Sequence, residues 1–566
     1  MAKKEYKRSY LQMPLPEGRK HYKMTKRAWS GLNYRQTIDT GELSMEKNIS
    51  TLEAPYLTPS EMPEKWLDYS NGKVVVGLYG FDDMLLVLYR YSANYTLYVD
   101  CIKVTGDRNH NGKLTVIRQG IVKEYDVNTY IGDMQRSIVQ FNVYDSLTAI
   151  DPDFVKKLII FPDAVSMYMD CETIDELVTE MYDSMDLGMY FCEKDGQYYK
   201  IVDVYNETTN EYDRTAKVIS KKINDKPYFM CEYIDYPPKG IKYATVHQSR
   251  VFALSDDRIF VSEYNNYANF SPDPSLTDDP NQPWIATAQA NTKSDSSFTG
   301  ITTFLNHVVC FQKGYMHEIY NDRNPFRIHD IFAEGAIDNR TIQDVDGTLI
   351  FVSEDGVKIY TGANPRVLDY NLNISKYKYA VSGTDGRCYY LYCETTTGNR
   401  FLVYDTICEE WSERVLPGNN NYVVNFARTS DGFYMLLSDN CIYQLDSMSY
   451  NGVEWSFETD LITNETVDIK HVKKIQMFAD MGKNPDSEID SEIWVYLLYD
   501  DEVFLEDEDF KKKHLVYYGK GVGRKAIRFK TRMTANYGFK VHVEGKGYTR
   551  LYEMEIAVEN GGELFV

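Results

Sequence analysis

Three stretches of this 566-residue chain share one grammar: VFALSDDRIF (251–260), LIFVSEDGVKIY (349–360) and YMLLSDNCIY (434–443). Each has an apolar run, then Ser, an acidic residue and Asp or Asn, then a second run ending in Ile and an aromatic. Ser, Asp, Asn and Gly bond their own backbone or tolerate left-handed conformations, which suits a tight turn between two strands. VVCFQKGYMHEIY (308–320) keeps the strands and changes the turn, and YYLYCETTTGNRFLVYD (389–405) lengthens it. The closing pairs Ile259-Phe260, Ile319-Tyr320, Ile359-Tyr360, Val403-Tyr404 and Ile442-Tyr443 recur at steps of 60, 40, 44 and 39 residues. The first step is long because 264–297 holds a loop with SPDPSLTDDPNQPW (271–284). Hairpins at ~40–45-residue intervals are the period of a β-propeller. One such unit cannot bury both faces of its sheet, whereas a ring of them can, and closure hides the strand edges.

Outward from this region the β pattern continues. VVVGLYG (74–80), MLLVLYRY (84–91) and YTLYVD (95–100) read as strands, and Leu97-Tyr98 and Met167-Tyr168 mark earlier repeats, giving six to eight blades. Residues 170–240 read as an insertion, with TIDELVTEMYDSM (173–185) as a short helix and YYKIVDVY (198–205) as a strand. Past 452 the period changes. FETDLI, KKIQMFA, IWVYLLY, AIRFK, GFKVHVEG and LYEMEIAV alternate between longer connections, which predicts a C-terminal antiparallel β-sandwich of jelly-roll type. The acidic excursions 485–492 and 500–509 read as solvated loops. The expected organisation is all-β: an extended basic arm over 1–50, a propeller over 51–452 with the insertion at 170–240, and a sandwich over 453–566.

Charge is unevenly placed. Residues 1–29 carry nine Lys or Arg against Glu5 and Glu17, leaving −29 on the rest of a chain whose net charge is −22. An acidic body repels phosphate backbones, so DNA contact is expected only through the basic arm or a lumen. The arm is read as packing on the acidic body of a neighbouring subunit. Tyr occurs 48 times, a composition that leans toward strands and contact surfaces. The opening MAKKEYKRSY has no apolar run of a secretory leader, and no segment reaches the ~20 apolar residues of a membrane span. The nine Cys are scattered without a CxxC pair, Cys388 and Cys393 being nearest, as in a reducing compartment.

Motifs for chemistry fail on their details. Asp107, Asn109, Asn111 and Gly112 open like a calcium loop, but the closing position is Arg118, which repels a cation. Gly519-Lys-Gly-Val-Gly523 lacks the order and following helix of a phosphate loop. Ser430-Asp-Gly432 continues into Phe-Tyr and not toward the Trp of a sialidase repeat. The nine His show no HExxH pairing for zinc. No catalytic, cofactor-binding or metal-binding residue is expected, and no enzyme activity.

One resemblance covers about two thirds of the chain. Gly31-Leu-Asn33, Gly41-Glu-Leu43, Asn48 and Pro55-Tyr-Leu57, followed by VHQSRVFALSDDRIFVSEYNNYANF (246–270), GITTFLNHVVCFQKGYMHEIY (300–320) and DVDGTLIFVSEDGVKIYTGANPRVL (344–368), resemble the β-propeller virion proteins of tailed bacteriophages: tail hub, nozzle and head-to-tail connector stabilisation proteins. The resemblance implies a structural part of a virion tail or head-tail junction, assembled in the host bacterial cytoplasm. It implies a ring of six or twelve copies contacting other tail or connector proteins, and it implies no catalytic residues. Two readings stand beside it: a glycan-binding or glycan-cleaving propeller at the host-contact end of a tail, and a cellular protein-interaction scaffold.

Overall fold

The computed structural model describes residues 21–560 apart from 27–28, 36–41, 54–55, 93–95, 106–112, 126–133, 145–153, 169–187, 193–196, 207–210, 221–230, 234–237, 277–278, 288–295, 322, 325, 333–334, 419, 447–449, 451, 464–468, 483–489, 500–512 and 536–537. The described chain is all-β, with two short 3-10 turns at Asn339–Thr341 and Tyr370–Leu372.

Seven four-stranded antiparallel sheets follow one another. The first is Lys73–Phe81, Met84–Tyr91, Thr96–Thr105 and Lys113–Glu124. The second is Ser137–Tyr144, Phe154–Phe161, Val165–Tyr168 and Cys231–Tyr233. The third is Tyr243–His247, Arg250–Leu254, Arg258–Val261 and Trp284–Thr287. The fourth is Phe298–Phe304, His307–Gln312, Tyr315–Tyr320 and Arg327–Phe332. The fifth is Gln343–Val345, Thr348–Ser353, Gly356–Tyr360 and Arg366–Val367. The sixth is Tyr377–Thr384, Cys388–Thr395, Gly398–Asp405 and Glu410–Arg414. The seventh, Val423–Arg428, Phe433–Leu437 and Cys441–Gln444, takes its fourth strand, Glu64–Asp68, from far upstream. Every aromatic-closing pair singled out in the sequence, from Leu97-Tyr98 to Ile442-Tyr443, lies in the third strand of its sheet.

The wholly apolar second strands are explained by what covers them. Side chains alternate between the two faces of a strand. In Cys388–Thr395, Tyr389, Leu391 and Cys393 enter the core shared with the fifth sheet, while Cys388, Tyr390 and Tyr392 enter the core shared with the seventh. In Thr348–Ser353, Leu349 and Phe351 face the fourth sheet, and Ile350 and Val352 face the sixth. The same division holds for Leu85, Val87 and Tyr89 against Leu86 and Leu88 in the first sheet. Each sheet thus shares a hydrophobic cluster with the next, and the seventh shares one with the first through Tyr434, Leu436 and Ile442 against Val75, Leu85 and Val87. The Ser-centred turns behave as read: Arg258 N–H donates to Ser255 Oγ at 3.1 Å, and Ser353 Oγ–H donates to the Gly356 carbonyl at 3.1 Å.

A three-stranded sheet, Gly188–Cys192, Gln197–Asn206 and Glu211–Ser220, interrupts the second sheet between its third and fourth strands. The expected helix 173–185 lies outside the described residues, as does the calcium-like Asp107–Gly112, whose flanking strands pair as a hairpin.

The C-terminal strands form two sheets whose buried residues make one cluster. Glu454–Thr459 pairs with Phe539–Lys546, Lys470–Met481 with Gly523–Ala535, and Ser491–Tyr499 with His514–Gly521, as if one long hairpin were rolled alternately onto two sheets. Thr549–Asn560 adds to Lys470–Met481. Gly519–Gly523 is the crossover from one sheet to the other, as a strand connection and not a phosphate loop.

The described part of the arm packs on its own chain, contrary to the expectation that it orders against a neighbouring subunit. Trp29, Leu43, Ile49 and Leu57 are buried in the C-terminal cluster, and Leu32 in the core of the fifth and sixth sheets. His21–Lys26 and Leu43–Lys47 add as edge strands to Thr549–Asn560 and Glu454–Thr459. Gly31 passes so close to the sixth sheet that a Cβ there would sit 2.5 Å from the Trp411 carbonyl oxygen. Asn48, at φ 53°, accepts from Val415 N–H at 2.7 Å and donates from Nδ2 to the Glu454 carbonyl at 2.9 Å, bridging the sixth sheet and the C-terminal unit. The physical reason is that its apolar residues, dispersed among many charges, still outweigh them in burial.

The seventh and first sheets meet most tightly at Gly80, where a Cβ would lie 1.6 Å from the Arg428 carbonyl oxygen. Gly80→Ala must push these inner strands apart. Its expected cost is about 2–3 kcal/mol, as for overpacking in a core, visible as a lower melting temperature; an unchanged melting temperature refutes the close approach.

Candidate functional site

The long loop between the third and fourth strands of the third sheet surrounds a pocket of about 640 Å³, lined by Pro272, Asp273, Pro280, Gln282, Trp284 and Asn324 among others. Its walls are held from beneath by Arg250, a fully buried side chain. The guanidinium donates from Nη1 to the Ser262 and Gln282 carbonyls at 2.7 and 3.0 Å, and from Nη2 to the Pro280 carbonyl at 2.8 Å. A planar fork of donors suits three converging carbonyls better than an ammonium would. Gln282 Oε1 accepts from Asp273 N–H at 3.0 Å, and Asn324 Nδ2 donates to the Gln282 carbonyl at 2.9 Å. Trp284 is braced by Phe326, with ring centroids 5.1 Å apart. Asp273 accepts from Ser275 N–H and Oγ–H at 2.8 and 2.7 Å, and these bonds hold its carboxyl below the usual range. Asp273 is therefore a poor proton donor at neutral pH.

A second polar group lies between the fourth and fifth sheets. Burial pushes the Glu318 carboxyl up, but hydrogen bonds from Tyr360, His329 and Tyr320 with the charge of His307 outweigh it and hold the group low. A carboxylate already accepting from three donors has little capacity left as a base, and it acts as a cross-link between sheets. His317, buried, places its ring nitrogens 2.8 Å from Gln312 Oε1 and Asp330 Oδ1 in the same structural manner.

The third group sits at the joint made by the arm. Glu46 is fully buried, and neither carboxylate oxygen has a hydrogen-bond partner. Burial raises its carboxyl well above the usual range, with repulsion from Glu410 and Glu413 adding to the effect. Glu410 accepts from Thr51 Oγ–H at 2.6 Å, and Glu413 from Tyr34 and, at 3.3 Å, from Arg400. Sequence reading missed this group, since one Glu in an acidic chain carries no signal of its burial.

No group of three or more His, Cys, Asp or Glu among the described residues is placed to hold a metal ion. No helix of the described residues is long and apolar enough to cross a membrane. Cys101, Cys310, Cys388, Cys393, Cys408 and Cys441 are free thiols, and all but Cys408 are buried.

No protein-family description and no curated protein matches this chain. Among solved structures it is similar to an acylaminoacyl peptidase in complex with Z-Gly-Gly-Phe-chloromethyl ketone, at 9% identity and TM-score 0.28 over 69% of this chain and 58% of that one. It is also similar to the extracellular domain of a one component system from B. thetaiotaomicron, at 7% identity and TM-score 0.22 over 89% and 81% of the two chains. The chain thus spans under two thirds of the peptidase's length, and likenesses this distant carry no functional argument.

A carboxyl with a raised folded-state pKa binds a proton that the unfolded chain has released. Its contribution is present below the ordinary value of 4.5 and is lost as pH rises through the folded value. Glu46→Gln mimics the neutral form. The melting temperature of the variant should exceed that of the wild type by a margin that widens from pH 4.5 upward, following linkage of about 1.4 kcal/mol per pH unit between the two values. A margin independent of pH means that Glu46 is not held neutral.

Proposed function

We propose that this chain is a structural virion protein of a tailed bacteriophage, forming part of the tail or head-to-tail connector as a ring of copies. Its seven sheets are the blades of a closed propeller, with the seventh blade completed by the upstream strand Glu64–Asp68, and the C-terminal sheets are a jelly-roll-like sandwich. The carrying observation is the use made of the residues that give the phage resemblance. Gly31, Leu32, Asn33, Leu43, Asn48 and Leu57 join the sixth sheet to the C-terminal unit: Leu32 N–H donates to the Trp411 carbonyl at 2.8 Å, Asn33 Nδ2 to Glu42 Oε2 at 2.7 Å, and Leu57 N–H to the Leu551 carbonyl at 3.1 Å. What resembles the family is a device for fixing two β units, which a load-bearing particle needs and an isolated binding module does not.

Light scattering tests assembly. The purified chain is expected to give a mass several times 65.7 kDa at low salt and to loosen as salt rises, because exposed charges are screened over ~8 Å at physiological ionic strength. A monomer at every salt concentration, at micromolar protein, counts against ring formation and favours the scaffold reading.

The loop pocket favours one second reading, that of a glycan-binding surface. An aromatic ring beside carboxylate and amide oxygens offers stacking for a sugar's apolar face and partners for its hydroxyls. Calorimetric titration with host capsular glycans should then show binding that Trp284→Ala weakens by tenfold or more. Equal binding by both chains excludes the pocket as the glycan site.

A further inference from the structure

A short stretch of the arm joins the sixth sheet to the C-terminal unit. Strands Leu43–Lys47 and Ile49–Ser50 lie against Glu410–Arg414, the fourth strand of the sixth sheet. Leu43–Lys47 also pairs along its length with Glu454–Thr459 of the C-terminal unit. The two attachments differ in kind. Toward the C-terminal unit the arm is held by a strand ladder. Toward the sixth sheet it is held by separate bonds: Asn48 N–H donates to the Glu413 carbonyl at 2.9 Å, Val415 N–H to Asn48 Oδ1 at 2.7 Å, Thr51 Oγ–H to Glu410 at 2.6 Å, and Tyr34 to Glu413.

Within this joint Glu46 is 0% exposed, and neither of its carboxylate oxygens has a hydrogen-bond partner. The charged groups around it offer no relief. From the sixth sheet, Glu410 and Glu413 repel it. Arg400 is spent on Glu413 at 3.3 Å, and Arg414 lies over the Tyr390 ring. From the C-terminal strands, Lys540 pairs with Glu458 at 2.8 Å, His542 lies 3.5 Å from Glu458, and Lys546 pairs with Glu454 at 3.2 Å. Along the arm, Glu42 accepts from Asn33 at 2.7 Å, and Lys47, the next residue, does not donate to Glu46. A buried carboxylate without a donor or a cation is tolerated only in its neutral form. Once ionised it needs water, and the least bonded route for water runs between the arm and Glu410–Arg414.

We propose that Glu46 is a pH-operated latch: with its carboxyl protonated the arm clamps the C-terminal unit to the sixth sheet, and with it ionised this joint opens to water while the sheets on either side stay folded. The latch is independent of the ring reading, since every group in it belongs to one chain. Opening returns Glu46 to its ordinary value of 4.5, whereas burial, with repulsion from Glu410 and Glu413, raises it well above that in the closed joint. The closed joint is therefore most favoured below pH 4.5. The opening constant rises ~tenfold per pH unit above it and levels off past the closed-joint value.

Hydrogen exchange of the full chain, read by mass spectrometry from pH 5 to 9, tests this. Each variant is compared with the wild type at the same pH, so that the intrinsic pH dependence of exchange cancels. Relative to Glu46→Gln, the wild type should exchange faster in peptides 47–52 and 410–416, by a ratio that grows ~tenfold per pH unit before its plateau. Peptides 388–395 and 454–459, in the sixth sheet and the C-terminal unit, should exchange equally in both proteins. A ratio that does not change with pH overturns the latch. So does a rise shared equally by 388–395, because Glu46 then loosens the whole fold and not the joint. If Glu46→Gln fails to fold, Glu410→Gln decides. It removes one repelling charge and keeps an acceptor for Thr51, so the rise with pH should end earlier and be smaller than in the wild type. An unchanged profile in Glu410→Gln overturns the proposal.

Discussion

Burial of both faces of the seven consecutive four-stranded sheets is the constraint on which the rest of this structure depends. A strand such as Cys388–Thr395 places aromatic and aliphatic side chains alternately on opposite faces, and neither face tolerates water. A sheet of this kind needs a neighbour on each side, and that neighbour needs another. Only a return to the starting sheet ends the series without an exposed apolar face. The seventh sheet shares core residues with the first, and its fourth strand comes from residues 64–68. The strand joins early and late sequence in one sheet, so that the two can part only by breaking a ladder of backbone hydrogen bonds.

How much of this was legible follows from where the period-two signal is strong. The paired apolar runs and Ser-centred turns of 251–260, 349–360 and 434–443 showed the repeated hairpins and their common place in each sheet, because two buried faces leave a continuous apolar run. The strand Glu64–Asp68 was not legible: it is short, mostly exposed and charged, and gains its place from the partner Cys441–Gln444. The arm misled for a related reason. Its net positive charge is a property of the whole segment, whereas its placement is decided by Trp29, Leu32, Leu43 and Ile49, one apolar residue at a time. The pocket residues could be suspected from the Pro- and Asp-rich loop, but Arg250, which organises them, sits in an ordinary hairpin and shows its role only through carbonyls about 30 residues away.

The abundance of Tyr also acquires a physical account. Beyond any outer contact surface, many of these rings lie inside the fold with their hydroxyls on carboxylates: Tyr69 on Asp100 at 2.8 Å, Tyr377 on Asp369, and Tyr360 on Glu318. A buried carboxylate is costly unless hydrogen-bonded, and a buried phenol likewise needs a partner. Joining the two satisfies both at once, and lets an acidic chain bury some of its charge between sheets. In each of these pairs burial is the first cause that drives the Tyr hydroxyl toward its protonated form, so it remains a donor. Glu46 stands apart because it has no such donor, and burial together with the nearby Glu410 and Glu413 raises its carboxyl well above the usual range.

Edge management connects the fold to its proposed assembly. Among the described residues each of the seven sheets shares a buried cluster with its neighbours, and the arm caps one edge of each C-terminal sheet with a strand of the chain itself. Among the described residues capping is found on that side alone, and the opposite side carries a long strand on which Arg524, Arg528 and Lys530 are exposed. Charged residues on an edge discourage pairing with strands of like charge and with neutral aggregating strands. They do not discourage an acidic strand, for which the same cations become attractive. An edge guarded in this way is therefore selective by charge.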